Sequence, residues 1–241
     1  MRKEIILIFI CFFNFFYSQN LKVEYEYINK QKINQGSFSD VFNKKLLELN
    51  GKPVYYTLLY NNGNSLFTKD SEKDIVNEKS RITKGNETKV ELERFVRKEV
   101  KIFHTPEKKG FYQYFKYDDD EFYRYSEPEL TSISYKDDVE YVDIYKCKLV
   151  EIVLKNGNII KLWYTEDVPI STGPFMYNML PGLVLKAESS GFIIYATKVA
   201  STKTIIESIN KKLPVYNDDE FREKMKEINN SVKTTRTEIV K

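Results

Sequence analysis

The sequence has 241 residues, of which 38 are Lys or Arg and 35 are Asp or Glu, so the formal net charge is only +3. Such a small excess argues against a nucleic-acid-binding protein, which usually carries a strongly basic face. Two Cys and one His are too few for a structural zinc site of the Cys₄ or Cys₂His₂ kind. A hydrophobic fraction of 41% is enough for a packed core, and the length favours one domain.

The first 18 residues have the pattern of a secretory signal peptide. Arg2 and Lys3 precede the apolar run of residues 5–13. That run is shorter than the roughly 20 apolar residues that a membrane-spanning helix needs. We therefore expect cleavage after residue 18, export to the periplasm or the cell exterior, and no transmembrane span in the mature chain.

Cleavage leaves Cys147 as the single cysteine of the mature chain. One thiol cannot form an internal disulfide. Cys147 alternates with Tyr145 and Leu149, which predicts the inner face of a strand, where free cysteines are commonly buried. A nucleophilic or redox thiol is the alternative interpretation.

The first half of the mature chain is dominated by strand patterns. Apolar residues alternate with charged ones over residues 21–27, and residues 54–60 form a second strand that ends at an Asn-Asn-Gly turn. Residues 65–67 continue the sheet after the turn. Residues 70–101 contain 17 charged residues, so we expect a mobile surface excursion followed by a strand from about Val90.

Residues 111–125 contain eight aromatic residues around the acidic run of residues 118–121. This pattern predicts two aromatic strands joined by an acidic turn. A calcium loop is the alternative, but the run lacks the Asp-x-Asp-x-Asp-Gly spacing that wraps the ion.

Two hairpins follow. Residues 142–154 and 159–165 flank Asn156-Gly157, the dipeptide that favours a type I′ turn because both residues accept a positive φ. Residues 183–187 and 192–199 form the second hairpin, and residues 204–209 are predicted to add a last strand.

The C-terminal residues predict a short amphipathic helix. Asn217 and Glu220 have the spacing of a capping box, and Phe221, Met225 and Ile228 fall at positions i, i+4 and i+7. We expect this apolar stripe to dock on the protein's own sheet rather than on a partner or a membrane. The tail after residue 229 is expected to fray.

These patterns predict an all-β, mainly antiparallel fold with a short C-terminal helix. The alternatives for the sheet are a single curved sheet, a half-barrel or a sandwich. The expected organisation is a signal peptide at residues 1–18, the β domain at residues 19–213, and the helix with its polar tail at residues 214–241.

An irregular ordered loop is predicted for residues 166–182, because Pro169, Gly173 and Pro174 remove ladder donors and bend the chain. At the end of this loop, Pro181 and Gly182 fit a type II turn, in which Gly182 would take the positive φ.

The same region supplies the candidate binding residues. Trp163, Tyr164 and Phe175 either line a pocket or plug one end of the sheet. The full candidate set is Trp163, Tyr164, Phe175, Leu180, Pro181, Gly182 and Leu183.

Several motif pieces occur here in one order, and together they resemble the GLPGLI family of exported proteins from Bacteroidota. The pieces are Tyr145-Lys-Cys-Lys, Leu162-Trp-Tyr-Thr, Val168-Pro-Ile-Ser, Gly173-Pro-Phe and residues 179–185. The name-giving Gly-Leu-Pro-Gly-Leu-Ile stands here as residues 179–184, with Met179 in place of the first Gly and Val184 in place of Ile. The resemblance implies an exported protein over most of the mature chain, but no settled biochemical activity.

We expect an exported, non-catalytic β-sheet protein of the cell envelope that binds an apolar ligand or an envelope partner, without a cofactor or nucleic acid. The alternative is a secreted hydrolase or other enzyme with a site near Glu166 and Asp167. Adjacent carboxylates on a strand point to opposite faces, which disfavours an acid–base pair there. His104 lies in a Lys-rich segment and is expected to be a plain surface residue.

Overall fold

The computed structural model describes residues 20–30, 44–45, 47–49, 51–69, 75–84, 87–96, 99–117 and 120–238, with the backbone alone for residues 75–96 and 229–238. The predicted signal peptide and the acidic residues Asp118 and Asp119 lie outside the described residues. The elements are β1 Leu21–Asn29, β2 Val54–Asn61, β3 Asn64–Lys69, β4 Ile75–Lys84, β5 Glu87–Val96, β6 Lys101–His104, β7 Phe111–Tyr117, β8 Asp120–Ser126, β9 Leu130–Val142, β10 Tyr145–Leu154, β11 Ile159–Thr165, β12 Leu183–Glu188, β13 Phe192–Ser201, β14 Val215–Tyr216 and α1 Asp218–Glu238.

Twelve of these strands form one open sheet in the order β14-β8-β7-β6-β3-β2-β1-β13-β12-β11-β10-β9, and β4 and β5 form a separate hairpin. Neighbours pair antiparallel except β14 and β8, which are parallel. The all-β, mainly antiparallel prediction is therefore confirmed.

The first strand, β1, lies in the middle of the sheet because it pairs with β2 on one side and with β13 on the other. It joins two runs of antiparallel strands, one of β2, β3 and β6–β8 and the other of β9–β13. The predicted alternation in β1 is confirmed: Leu21, Val23 and Tyr25 are buried. The main core includes these three side chains and residues of β10, β11 and β12.

The β10–β11 hairpin forms as predicted, but its turn is not type I′. Only Gly157 has a positive φ, at 82°. Its N–H donates to the Leu154 carbonyl at 2.8 Å, and the Leu154 N–H donates to the Asn158 carbonyl at 2.9 Å. This is a type I turn followed by a left-handed glycine. The arrangement differs from the prediction because the strands close on Asn158, which leaves three residues in the loop rather than two.

The two-residue turn with positive φ at both positions occurs instead between β2 and β3. Asn62 has φ 47° and Gly63 has φ 85°, and Asn61 pairs with Asn64 across them. The turn residues named for the end of the second predicted strand thus adopt the hairpin geometry expected elsewhere.

Four further features of the strands differ from the prediction. Val142 ends β9, a strand that the pattern did not reveal, and β10 begins at Tyr145 after a turn in which Asp143 has φ 54°. Residues 75–84 form β4, where an excursion was expected. Asp120 and Glu121, expected in the acidic turn, begin β8 and pair with β7. Residues 204–209 are not a strand; they belong to an irregular stretch of residues 202–214, which we call the bridging segment.

The helix begins with the predicted capping box. The Asn217 side-chain oxygen accepts hydrogen bonds from the N–H groups of Asp219 and Glu220 at 3.0 Å, and the Glu220 carboxylate accepts from the Asn217 N–H at 2.8 Å. The helix continues to Glu238, beyond the point at which fraying was predicted. None of the described helical residues form a stretch long and apolar enough to span a membrane.

The helix docks on the protein's own sheet, as predicted. The ring of Phe221 lies 4.8 Å from that of Phe115 and 6.3 Å from that of Phe122, measured between centroids. The helix therefore covers Phe115 of β7 and Phe122 of β8.

Candidate binding site

The predicted irregular loop of residues 166–182, which we call the motif loop, covers part of the main core. Phe175 lies 5.0 Å from Phe67, 5.8 Å from Phe192 and 6.0 Å from Tyr56 between ring centroids. Tyr56 and Phe67 are themselves stacked at 4.9 Å. Phe175 adopts φ 55°, a conformation that is rare for a bulky residue. The motif loop thus brings Phe175 into contact with rings of the sheet.

Of the candidate residues at the two ends of the motif loop, Pro181 is exposed and the side chains of three others are buried. Tyr164 and Leu183 are in the core, and Leu180 packs with them. Their side chains contribute to packing rather than to a surface.

The Pro181-Gly182 turn differs from the type II turn that the sequence predicted, because Gly182 does not adopt a positive φ. A Cβ at Gly182 would lie only 2.1 Å from the Thr165 carbonyl oxygen and 2.8 Å from its carbon. Glycine is required here because the end of the motif loop contacts the backbone at the end of β11 directly.

Hydrogen bonds hold the motif loop to the sheet and to itself. The Ser171 hydroxyl donates a hydrogen bond to the Leu180 carbonyl at 2.7 Å. The Val184 N–H donates to the Thr172 carbonyl at 2.9 Å, and the buried Tyr25 hydroxyl donates to the Val184 carbonyl at 2.7 Å. The middle of the motif loop is therefore tied to its own end and to β12.

Trp163 is half-buried and has different neighbours from Phe175. It pairs with Lys186 across β11 and β12, and the Lys186 ammonium lies 5.5 Å from the ring centroid. Lys186 also donates to the Glu140 carboxylate at 2.7 Å. The indole Nε1 is buried and has no hydrogen-bond partner among the described residues.

The carboxylates proposed for an enzyme, Glu166 and Asp167, have separate surroundings. The Glu166 carboxylate accepts hydrogen bonds from the Lys148 ammonium at 2.8 Å and from the Tyr164 hydroxyl at 3.3 Å. Lys148 is the largest cause of a lowered Glu166 pKa, so this group is an ionised acceptor at neutral pH. The Asp167 N–H is bonded to the Thr165 hydroxyl at 3.2 Å.

Cys147 is fully buried on β10, as the alternation predicted. Burial raises the pKa of its thiol from 9.0 to about 11, and the charges of Glu140 and Asp167 add to the effect. A thiol with this pKa is protonated at neutral pH and a poor nucleophile.

His104 is far from Cys147: it lies on β6, with six strands between it and β10 in the sheet order. In the described chain, no group of three or more His, Cys, Asp or Glu side chains could hold a metal ion.

A groove of about 850 Å³ lies at a place that the sequence did not indicate. Three parts of the chain line it: the β2–β3 turn, the β6–β7 connection with the adjoining strand ends, and the bridging segment with Val215. We call this cavity the groove.

The bridging segment closes one side of the groove because three of its apolar side chains are anchored on the sheet. Ile206, Ile209 and Leu213 pack against a cluster of Leu66, Phe103 and Tyr123. Their spacing of i, i+3 and i+7 was the sequence signal for this contact. The strand prediction for residues 204–209 obscured it.

Polar contacts attach the same segment to the sheet at isolated points. The Asn210 N–H donates to the Tyr123 hydroxyl at 3.1 Å, and the Lys101 ammonium donates to the Glu207 carboxylate at 2.9 Å. Ile205 lines the groove with 89% of its surface exposed. The segment thus leaves an apolar side chain in contact with solvent at the groove.

His104 lies at the groove and is partly buried, unlike the plain surface residue that was predicted. Its Nδ1 is 3.3 Å from the Gly63 carbonyl oxygen. Because a carbonyl can only accept, Nδ1 carries the proton in this contact. The ring also packs against Phe111 at 5.2 Å between centroids.

Comparison with known proteins agrees with this fold. Residues 60–186 match a family model described as "Protein of unknown function (Porph_ging)". The chain belongs to this family. The match runs from the end of β2 into β12, so it includes the motif loop and ends before the bridging segment. Comparison with curated proteins gives no match for this member of the Porph_ging family.

Solved structures with a similar fold include PNGF-II in two space groups. The two structures have TM-scores of 0.53 and 0.54 and sequence identities of 15% and 14%. Each alignment covers 86% of this chain, but only 32% and 33% of the PNGF-II chain. The chain thus spans about a third of the length of these structures, and the likeness concerns the fold.

Proposed function

We propose that this protein is an exported, non-catalytic β-sheet protein of the cell envelope that binds a small ligand with an apolar part in the groove. The observation that carries the proposal is the groove itself. Its volume of about 850 Å³ lies in the range of small-molecule sites, roughly 300–1,000 Å³. Isoleucine side chains of the bridging segment line it beside polar groups of the turns.

The proposal places the ligand at the groove rather than at the motif loop. Phe175 contacts Phe67, Tyr56 and Phe192, so its ring is occupied by packing. A ligand there would have to displace buried rings, whereas the groove is open to solvent.

Export is proposed from the basic and apolar pattern of residues 1–18. A GLPGLI-type member of the Bacteroidota is proposed from the motif at residues 179–184, which lies within the matched family region. That resemblance supports a cell-envelope location, either in the periplasm or outside the cell.

An envelope protein partner is the second candidate, and β9 favours it. This strand is at the edge of the sheet and exposes Ile133, Tyr135, Val139 and Tyr141. Unpaired edge strands can add a strand from another chain. Crosslinking in intact cells tests this candidate: a defined envelope protein trapped from β9 supports it, and a protein that stays untrapped contradicts it.

Probe binding to the purified mature protein tests the groove. An apolar fluorophore should bind the wild type, and Ile205→Asp should weaken binding at least about fivefold, which is about 1 kcal/mol. Ile144→Asp is the matched control, because Ile144 is 76% exposed and lies in the β9–β10 turn. Surface changes of this kind alter stability by about 0.5 kcal/mol or less.

The same preparation is extracted with organic solvent and analysed by mass spectrometry for a co-purified ligand. A clean extract together with absent fluorophore binding contradicts the proposed function. Equal loss of binding in both variants contradicts the placement at the groove. For the alternative enzyme, loss of a hydrolytic activity in Asp167→Asn with folding intact is the corresponding test.

A further inference from the structure

We infer that the ligand of the groove is an amphipathic anion, with its negative group near Lys108 and Lys211 and its apolar part along the isoleucines of the bridging segment. This inference rests on the proposed binding function of the groove. It adds the chemical class of the ligand.

The groove contains two lysines without carboxylate partners. Lys108 and Lys211 both line it, and among the residues that the structure describes neither ammonium group forms an ion pair. Some other described lysines do: Lys101 pairs with Glu207 and Lys148 with Glu166, at 2.9 and 2.8 Å. An ammonium group with no protein partner can form a charge-assisted hydrogen bond to a bound anion.

The acidic groups at the groove are already engaged. Glu207 is paired with Lys101. The pKa of Glu107 is lowered mainly by hydrogen bonds from its own backbone N–H and from the Thr105 side chain, and to a smaller extent by the charge of Lys211, with which it forms no ion pair. The charged side chains that line the groove balance, with Glu107 and Glu207 against Lys108 and Lys211. Because Glu207 is paired with Lys101, Lys108 and Lys211 remain available to a negative ligand.

The apolar part of the site comes from the bridging segment. Ile205 is exposed there, and Ile206 and Ile209 are half-buried against the cluster of Leu66, Phe103 and Tyr123. A ligand that covered Ile205 would remove its apolar surface from water, which is favourable at roughly 25 cal/mol per Å². A charged group and an apolar chain in one molecule would satisfy both parts of the groove.

The experiment compares dodecanoate with dodecan-1-ol, which has the same chain length but no charge. Each compound is titrated against the protein-bound fluorophore, at concentrations below micelle formation, and its affinity is measured from the displacement of the fluorophore. We expect dodecanoate to bind about tenfold more tightly than the alcohol, which corresponds to about 1.4 kcal/mol. High salt should weaken the binding of the acid and leave that of the alcohol unchanged.

Lys211→Gln is the test variant and Lys212→Gln is the matched control, since Lys212 is adjacent and exposed but does not line the groove. Lys211→Gln should weaken dodecanoate binding by about fivefold to tenfold and leave dodecanol binding unchanged. Lys212→Gln should change neither. Equal affinity for acid and alcohol, or an equal effect of both substitutions, overturns the inference and leaves the groove as an apolar site. Failure of both ligands to bind overturns the proposed function.

A membrane lipid is a second source of the same chemistry. Cosedimentation with phosphatidylglycerol vesicles, compared with phosphatidylcholine vesicles, identifies that source. Binding to the anionic vesicles that Lys211→Gln weakens supports the inference with a lipid as the ligand. Binding to dodecanoate without vesicle binding supports it with a free acid.

Discussion

The motif loop and the bridging segment are both irregular, and both cover side chains of the same sheet, but they pack differently. The motif loop contacts the sheet through backbone at Gly182 and through the ring of Phe175. The bridging segment is held by spaced isoleucines and isolated polar contacts. The first arrangement fills its space, and the second leaves a groove. The difference shows that the most distinctive motif of the sequence serves packing, while open space lies beneath a plainer segment.

The largest effect is expected at Gly182. Gly182→Ala places a Cβ 2.1 Å from a backbone oxygen, which cannot move as a side chain can, so unfolding free energy should fall by about 3 kcal/mol or more. Gly157→Ala is the control. Its φ is 82° and nothing lies within 4 Å of its added Cβ, so only the conformational cost of roughly 1–2 kcal/mol applies. Urea unfolding measures both, and equal costs would contradict the close contact at Gly182.

Ring packing in the motif loop predicts the next effect. Phe175→Ala should lower the unfolding free energy by about 3 kcal/mol, since the ring contacts five other rings, among them the buried Tyr56 and Phe67. Ile209→Ala in the bridging segment should cost less, about 1–2 kcal/mol, because that smaller side chain packs only against the cluster of Leu66, Phe103 and Tyr123 beside the groove. A larger loss for Ile209→Ala than for Phe175→Ala would reverse the contrast between the two regions.

The thiol beneath the motif loop predicts a pH dependence. The folded-state pKa of Cys147 is raised from 9.0 to about 11, so below pH 9 the thiol is protonated in both states. Between pH 9 and 11 the unfolded chain loses the proton first. Stability therefore falls as pH rises, by up to about 1.4 kcal/mol per pH unit. Under reducing conditions, the stability advantage of wild type over Cys147→Ala should shrink across this range; parallel curves would contradict the burial of the thiol.

Two tyrosine hydroxyls give the smallest contrast. Tyr25→Phe removes a donor from the Val184 carbonyl at a fully buried position, so it should cost about 2 kcal/mol. Tyr123→Phe removes an acceptor from the N–H of the exposed Asn210, which water can replace, so it should cost about 0.5–1 kcal/mol. Thermal unfolding of both variants checks the order. Equal costs would indicate that water is excluded from the Tyr123 hydrogen bond as completely as from that of Tyr25.

Local patterns predicted most strands but not the details of the turns. The alternation in β1 was sufficient because one buried face requires a period of two. At Asn156-Gly157, residue type indicated a left-handed conformation but not the number of residues in the loop, which the pairing of Leu154 with Asn158 sets. The strand predicted for residues 204–209 was wrong because Ile206 and Ile209 pack against side chains of β3, β6 and β8 rather than pairing in the sheet.

The candidate site was predicted less well than the fold. Trp163 and Phe175 were selected because they lie in or beside a predicted ordered loop, where function is common, but only the structure shows that Phe175 contacts Phe67 and Tyr56. The groove escaped prediction because Lys108 and Ile205 are far apart in the sequence and share a cavity only after folding.

The sequence by itself determined that the chain is an antiparallel β protein with a capped C-terminal helix, because alternation and capping are local properties of the chain. Only the tertiary structure decided where space is filled and where it remains open. Filling depends on contacts between distant segments, such as Gly182 against Thr165 and Ile206 against the cluster around Phe103, and no local pattern encodes the distance between them.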